Sequence, residues 1–312
     1  KEMQINKKIQ LLDCTLRDGG YYNNWDFPLN LVNDYLKCMS KIGIKYVELG
    51  FRSFPSKFFR GSNWYTSDEY IHSLKIPKNL KVSVMVNASQ IISQNNIKFA
   101  IKKIFKKKNK TKIDLIRVAC HFHEINQTIE ILNILKSLGY KVAINLMQIS
   151  EQEDDKITEV IKKINKTNVE VLYFADSLGS MDSIKVKKLI NLISLNWKGP
   201  IGVHTHDNLG KAISNNIESL KAGATWIDST VTGMGRGAGN GQTEYFLIEL
   251  YKLLNKKINL LPLLNLIKKY FVDLKNKYNW GSNTFYYLAG IHGIHPTYIQ
   301  EMISTHFSDA EI

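Results

Sequence analysis

Eight short apolar runs alternating with amphipathic stretches predict an α/β protein, a (β/α)₈ TIM barrel with a short C-terminal helical extension. Three observations carry that reading. The runs, at 10–14, 46–49, 81–86, 114–119, 141–146, 169–174, 201–205 and 226–231, are nearly continuous in Val, Ile and Leu, as parallel strands covered by helices are. Helix-like stretches lie between them, at 29–42, 67–73, 89–107, 124–138, 151–165, 182–195, 210–222 and 242–256. Eight such repeats fill about 250 residues, the usual size of a barrel. An open doubly wound sheet could also hold eight strands.

Gly43, Gly139 and Gly223 directly follow three of the helical stretches, where a left-handed residue is wanted to end a helix. No Pro- or Gly-rich linker interrupts 1–256. The expected organisation is a catalytic barrel over 1–261 and a helical extension over 262–312, with helices at 263–278, 284–291 and 296–304. The extension suits a truncated second domain, a cover for the barrel mouth or a homodimer contact.

At 312 residues and 44% hydrophobic, the chain can bury one large core or two modest ones. No apolar run reaches the roughly 18 residues of a membrane span. The opening stretch KEMQINKKIQLLD has no secretory pattern. Cys14, Cys38 and Cys120 are scattered without CxxC spacing, which fits a reducing, cytoplasmic setting better than a disulfide framework or a zinc knuckle. The net charge is +14, yet only five of the 42 basic residues are arginine. The lysines spread over helical faces, as in KKIFKKKNKTK (102–112), and no helix-turn-helix, RNP or zinc-finger signature is present. No nucleic-acid partner is expected. A general attraction for small anions is, with a non-catalytic basic binding module as the competing class.

In a barrel, chemistry sits where strands end. The first strand runs into DCTLRDGGYYNNWDF, with Arg17, Asp18 and Tyr21. The second ends in VELGFRS, with Glu48; the fourth in RVACHFHE, with Arg117, His121 and His123; the sixth in FADSLGSM, with Ser177. The seventh ends in VHTHDNLG, and the eighth in STVTGMGRGAGNG, with Arg236 and Asn240. All five arginines lie near a strand end or in the following loop, where a rigid guanidinium fork suits carboxylates and enolates.

His204 and His206 are two apart on a strand and so face the same way. Alone, the pair also suits a structural or pH-sensing role. Strands seven, eight and one are neighbours in barrel order, so Asp18 and Asn240 can join the imidazoles, and the set then favours a divalent cation. The run GMGRGAGNG (233–241) is neither a Walker A loop nor a dinucleotide fingerprint. It could bring backbone amides up to an anionic ligand, or simply turn the chain into the last helix. His72 and His306 are isolated and are set aside.

LLDCTLRDGG, HTHDNLG and GMGRGAGN, in that order over residues 9–256, resemble the DRE-TIM metallolyases (HMGL-like). RVACHFHE and YFADSLGSM are similar to the 4-hydroxy-2-oxovalerate aldolase branch, where a serine amide meets a pyruvate carboxylate. The resemblance implies that Asp18, His204 and His206 hold Mn²⁺ or Mg²⁺, with Asn240 a fourth ligand as in the lyase branch. It implies that Arg17 stabilises an enolate, Glu48 orients Arg17, and Ser177 binds the carboxylate. Arg236 joins Arg17 as a candidate substrate-binding cation. The expected reaction is an aldol cleavage or condensation between pyruvate, or another 2-oxo acid, and a polar aldehyde. Two departures stand out. The aldolases' histidine four residues after the arginine is Tyr21 here, and a phenol of ordinary pKa, about 10, is a poor base. That leaves Tyr21 to act with help from its neighbours, or His121, His123 or His292 to supply the base. The tail YYLAGIHGIHPTYI (286–299) matches the aldolases' dehydrogenase-docking region only loosely, so no dehydrogenase partner is expected. A Claisen-type acyl-CoA lyase or synthase is the alternative reaction, but the loop VTGMGRGAGN lacks the cysteine of the lyase branch.

Overall fold

A computed structural model describes residues 9–305, 307, 308 and 312. The opening stretch 1–8 and His306 lie outside the described residues. Eight parallel strands close a barrel in sequence order. They are β1 Gln10–Asp13, β2 Tyr46–Phe51, β3 Lys81–Asn87, β4 Ile113–Cys120, β5 Lys141–Leu146, β6 Val171–Ala175, β7 Ile201–His204 and β8 Trp226–Ser229. β1 pairs with both β2 and β8, with Leu12 opposite Asp228. The sheet is therefore closed, which excludes the open alternative.

Strand alternation explains why the runs read as apolar although their inner faces do not. Val47, Leu49, Val82, Val84, Ile116, Val118, Val142, Ile144, Leu172, Phe174, Val203 and Ile227 share one core with the surrounding helices. The intervening positions include an apolar group of Leu12, Cys14, Leu115, Ala143, Val171, Tyr173 and Trp226. Two residues further along β2, β4 and β8 from Tyr46, Leu115 and Trp226 stand Glu48, Arg117 and Asp228, all buried. Gly202 of β7 makes room for the Tyr173 ring, since a Cβ there would lie 2.4 Å from Tyr173 Cδ1.

The outer helices include Leu29–Lys41, Asp68–Ser73, Ile125–Ser137, Asp154–Ile164, Ser183–Asn196, Ala212–Ala222 and Thr243–Leu253. Gly43, Gly139 and Gly223 have φ of 81°, 93° and 113°, as their positions predicted. The single helix expected at 89–107 is instead two, Ala88–Ile92 and Ile97–Ile104. Asn96 is the reason: its side chain accepts the Phe99 amide and caps a new start, and an Asn at that position favours initiation over continuation.

Beyond residue 260 the chain is helical, at Leu261–Leu266, a π turn Ile267–Phe271, Val272–Tyr278, Thr284–His292 and Pro296–Ser304. It is fastened to the barrel. Leu263, Leu266, Phe271 and Trp280 join the main core, and Trp280 Nε1 donates to the Thr232 carbonyl at 2.9 Å. Ser282 donates to the Asn208 carbonyl at 2.9 Å. Gly237 N donates to Gln300 Oε1 at 2.9 Å. Among the described residues no helix is long and apolar enough to cross a membrane.

Removing the Trp280 ring leaves a cavity between extension and barrel. Trp280→Ala is expected to cost about 3–5 kcal/mol, read by chemical denaturation as a shift of one cooperative transition. An unchanged midpoint would mean that the extension adds nothing to the barrel's stability.

Candidate active site

Six side chains of alternating charge close a ring inside the barrel. Arg17 Nε meets Glu48 Oε1 at 2.9 Å. Glu48 takes a two-pronged contact from Arg117, at 2.6 Å from Nε and 2.7 Å from Nη2. Arg117 Nη1 reaches Asp228 Oδ2 at 2.7 Å. The same oxygen lies 2.8 Å from His204 Nδ1, and His204 Nε2 lies 3.0 Å from Asp18 Oδ2. Asp18 returns to Arg17 through a close contact with Nη1. All six are buried. Charges this deep persist only when paired on every side.

The ring sets the protonation of its members. Burial opposes charge on Asp18, but the Arg17 guanidinium and His204 outweigh it and hold the carboxyl well below the usual range. Burial also opposes charge on His204, and Asp18 and Asp228 outweigh it, raising its pKa. His206 behaves differently. Burial and the neighbouring His204 push it down to about 3. Its Nδ1 lies 2.7 Å from the Asp176 carbonyl, which can only accept, so Nδ1 carries the hydrogen and Nε2 keeps a free lone pair.

A cavity of about 170 Å³ opens beside the ring, lined among others by Arg17, Asp18, Tyr21, His121, Ser177, His204, His206 and Arg236. Glu48 and Asn240 are not on its wall; Glu48 acts behind Arg17. A larger groove of about 510 Å³, bordered by Asp182, Lys185, Lys188, Lys211 and His292, contains none of the ring.

Within this frame the predicted residues take the following places. Asp18 and His204 touch, and the His204 and His206 ring centroids are 5.0 Å apart. Asn240 Nδ2 donates to the Thr205 carbonyl at 3.0 Å and lies 3.2 Å from His204 Nε2, while its Oδ1 is buried without a partner. Cys14, which the sequence left without a role, offers its sulfur with Asp18 and His204, the three donor atoms lying within 4.8 Å of one another, a spacing that could hold a metal ion. Burial, with the Asp228 and Asp18 charges, raises the Cys14 thiol well above its ordinary range, and a soft sulfur suits a hard divalent ion less than oxygen and imidazole donors do. The orphaned Asn240 oxygen and the bare His206 nitrogen are the donors a borderline-hard divalent ion takes.

Tyr21 packs edge-on against Trp25, with centroids 4.9 Å apart, and lies under the Arg236 guanidinium at 4.8 Å. His121 borders the cavity, and its backbone is held by Glu124 Oε2, which accepts the His121 amide at 2.9 Å. His123 is 80% exposed and His292 faces the larger groove, so neither is placed to act in the cavity. His295, not singled out in the sequence, lines it instead. Ser177 Oγ accepts the Gln148 amide at 3.1 Å.

Several backbone amides of the glycine run are engaged within the fold. The Gly237 amide is spent on Gln300, and those of Gly239 and Asn240 on the Arg236 and Gly233 carbonyls. Gly235 lets Asn240 approach, because a Cβ there would lie 1.9 Å from Asn240 Oδ1. The run is a tight turn that seats Asn240.

Sequence reasoning placed Arg117 near a strand end with the other arginines; it stands within β4, in the barrel interior, at the hub of the ring. It missed Asp228 altogether. The available signal was a lone charge in an otherwise apolar strand: Arg117 in IDLIRVAC and Asp228 in WIDS. Arg117→Met leaves Glu48 and Asp228 without their shared partner. The expected result is a loss of about 3–5 kcal/mol in denaturant unfolding, and a loss under about 1 kcal/mol would show that the ring does not hold the interior together.

The HMGL-like family model matches residues 75–268. A 4-hydroxy-2-oxovalerate aldolase from Carboxydothermus hydrogenoformans is 30% identical over 250 residues, 79% of this chain and 72% of that protein. A crystal structure described as the "N-terminal domain of a putative aldolase" from Bacteroides vulgatus superposes with a TM-score of 0.84 at 32% identity, covering 95% of this chain and 97% of that one. The HMG-CoA lyase of Bacillus subtilis shares the fold, with a TM-score of 0.69 at 15% identity over 88% of this chain and 95% of its own. A matched model spanning more than half the chain, with a relative at this identity, makes this protein a member of the HMGL-like family and an enzyme, a carbon–carbon lyase.

Proposed function

We propose that the protein is a divalent-metal-dependent aldolase that makes or cleaves a 4-hydroxy-2-oxo acid through a pyruvate enolate. One observation carries this reading: Arg17 Nη2 is buried at the cavity wall without a partner, next to the Asp18–His204 contact. Arg17 spends Nε on Glu48 and Nη1 on Asp18. That leaves one donor, fixed in direction, for an oxygen that becomes negative during reaction. The aldolase relatives at 25–30% identity support the same reading.

Asp18, His204 and His206 would hold the ion, Mn²⁺ or Mg²⁺, with Asn240 Oδ1 as a fourth donor. The Asp228–His204 contact orients that imidazole from behind. When bound, the cation supplies Lewis acidity to the 2-oxo acid's oxygens. Glu48, gripped by Arg117, keeps Arg17 from swinging away. Ser177, on the cavity wall, would bind the substrate carboxylate, and Arg236, which makes no ion pair among the described residues, adds a cation for an anionic substrate. His121 is the base that takes the proton of the 4-hydroxyl as the C3–C4 electron pair passes into the enolate. Tyr21 serves as a wall and as a platform for Arg236. The acyl-CoA alternative lacks a cavity cysteine, since none of the lining residues is one. The three free, buried thiols fit a reducing compartment such as the cytoplasm.

Purified protein with Mn²⁺ should exchange the methyl protons of pyruvate for deuterium, followed by proton NMR. Absence of exchange with metal demonstrably bound would sink the reading. Asp18→Asn and His204→Ala should lose metal binding by calorimetry and all exchange. Arg17→Ala should still bind metal while exchange falls about 10²–10³-fold. Tyr21→Phe should stay within about threefold of wild type, whereas loss of a true acid–base group typically costs about 10²–10⁴-fold.

A further inference from the structure

The helices that follow the barrel put into the cavity a histidine that no strand supplies. His295 lines the same cavity as Arg17, Asp18, His121 and His206. Its position is fixed by the clasp between the β8 loop and the last helix. Gly237 approaches the tail so closely that a Cβ would lie 2.8 Å from Pro296 Cβ. The Gly237 amide donates to Gln300 on the following turn at 2.9 Å, and the Tyr22 hydroxyl donates to the Gly237 carbonyl at 2.9 Å.

The same local structure sets the ring's tautomer. His295 is the N-cap of Pro296–Ser304, and the Thr297 amide donates to its Nδ1 in a long bond of 3.4 Å. A nitrogen that accepts a backbone N–H carries no hydrogen, so a neutral His295 bears its proton on Nε2. Burial first, then the Arg236 and His121 charges, push this imidazole down to about 4. The described residues give Nε2 no hydrogen-bond partner. The result is an uncharged ring with one committed N–H, held at the wall of a reaction cavity.

We propose that His295 binds the carbonyl oxygen of the aldehyde, donating a hydrogen bond from Nε2–H to the oxygen that becomes the 4-hydroxyl of the aldol product. This rests on the aldolase reading above. In the addition direction the enolate C3 pair forms the carbon–carbon bond and the carbonyl π pair moves onto oxygen. The His121 imidazolium then returns its proton to that oxygen. His295 keeps its own proton throughout. A neutral imidazole can act as an electrophile in this way without adding a further charge beside Arg236. The site thus divides its two substrates between two parts of the chain. The segments at the ends of the barrel strands hold the 2-oxo acid, and the extension holds the aldehyde.

Two variants separate this role from helix capping. His295→Asn keeps a side-chain acceptor for the cap but removes the donor at the Nε2 position. His295→Gln places an amide N–H near that position. Each is assayed, as the full chain with Mn²⁺, for pyruvate proton exchange without aldehyde and for addition of pyruvate to acetaldehyde and glycolaldehyde. The ratio of addition to exchange should fall about 10²–10³-fold in His295→Asn and recover at least about tenfold of that in His295→Gln. Wild-type addition rates in His295→Asn would overturn the proposal, as would a parallel fall of exchange and addition. Failure of the wild-type protein to exchange pyruvate protons would instead overturn the aldolase reading, and this proposal with it.

Discussion

The interior of this barrel depends on the closed circuit Arg17–Glu48–Arg117–Asp228–His204–Asp18. Each carboxylate in it meets two cationic groups, and each cationic group meets two carboxylates. An open chain of the same residues would leave an end group buried and uncompensated, at a cost of several kcal/mol. Closure removes the ends. It also fixes directions: Arg17 cannot rotate without leaving Glu48, and His204 cannot turn without leaving Asp228. Rigid donors of this kind need no reorganisation when charge develops nearby.

The rest of the fold protects that circuit. Outward side chains of the strands are mostly aliphatic and anchor the helices around the polar interior. Tyr173 and Trp226 fill the inner apolar layer, their centroids 6.3 Å apart, and the Arg117 guanidinium lies 4.6 Å from the Tyr173 ring centroid. The loops after β6, β7 and β8 are not free either. Gly179 packs on Asn208, Asn208 bonds the Tyr286 carbonyl, and Gly237 bonds Gln300.

The strands were legible because their outward positions are so uniformly aliphatic that the inward charges barely interrupt them. The same uniformity hid the hub. Arg117 was grouped with the strand-end arginines and Asp228 was missed, since pairing between positions 111 residues apart leaves no local pattern. His204, His206 and Asp18 were visible because spacing on one strand and strand adjacency are geometric facts of a barrel. The break at Asn96 was missed because periodicity continues across it while capping does not. The histidines of the tail show the limit most clearly. His292 and His295 are three apart in one motif, yet helix end and helix cap send them to different cavities.

The closure of the charge circuit has a consequence for how the chain is made. A ribosome releases Arg17 and Glu48 early, and these two can pair within a nascent fragment. Arg117 follows, but its second partner Asp228 and the imidazole of His204 emerge only near the end of the barrel. Lys269 and Tyr270 of the extension both reach Asp34, on the helix that follows β1, at 2.7 Å. Synthesis must therefore reach the last strand before the enclosed charges are neutralised. Until then the emerging polypeptide carries half-compensated polar groups that favour a loose, hydrated state, and compaction of the barrel interior waits for β7 and β8.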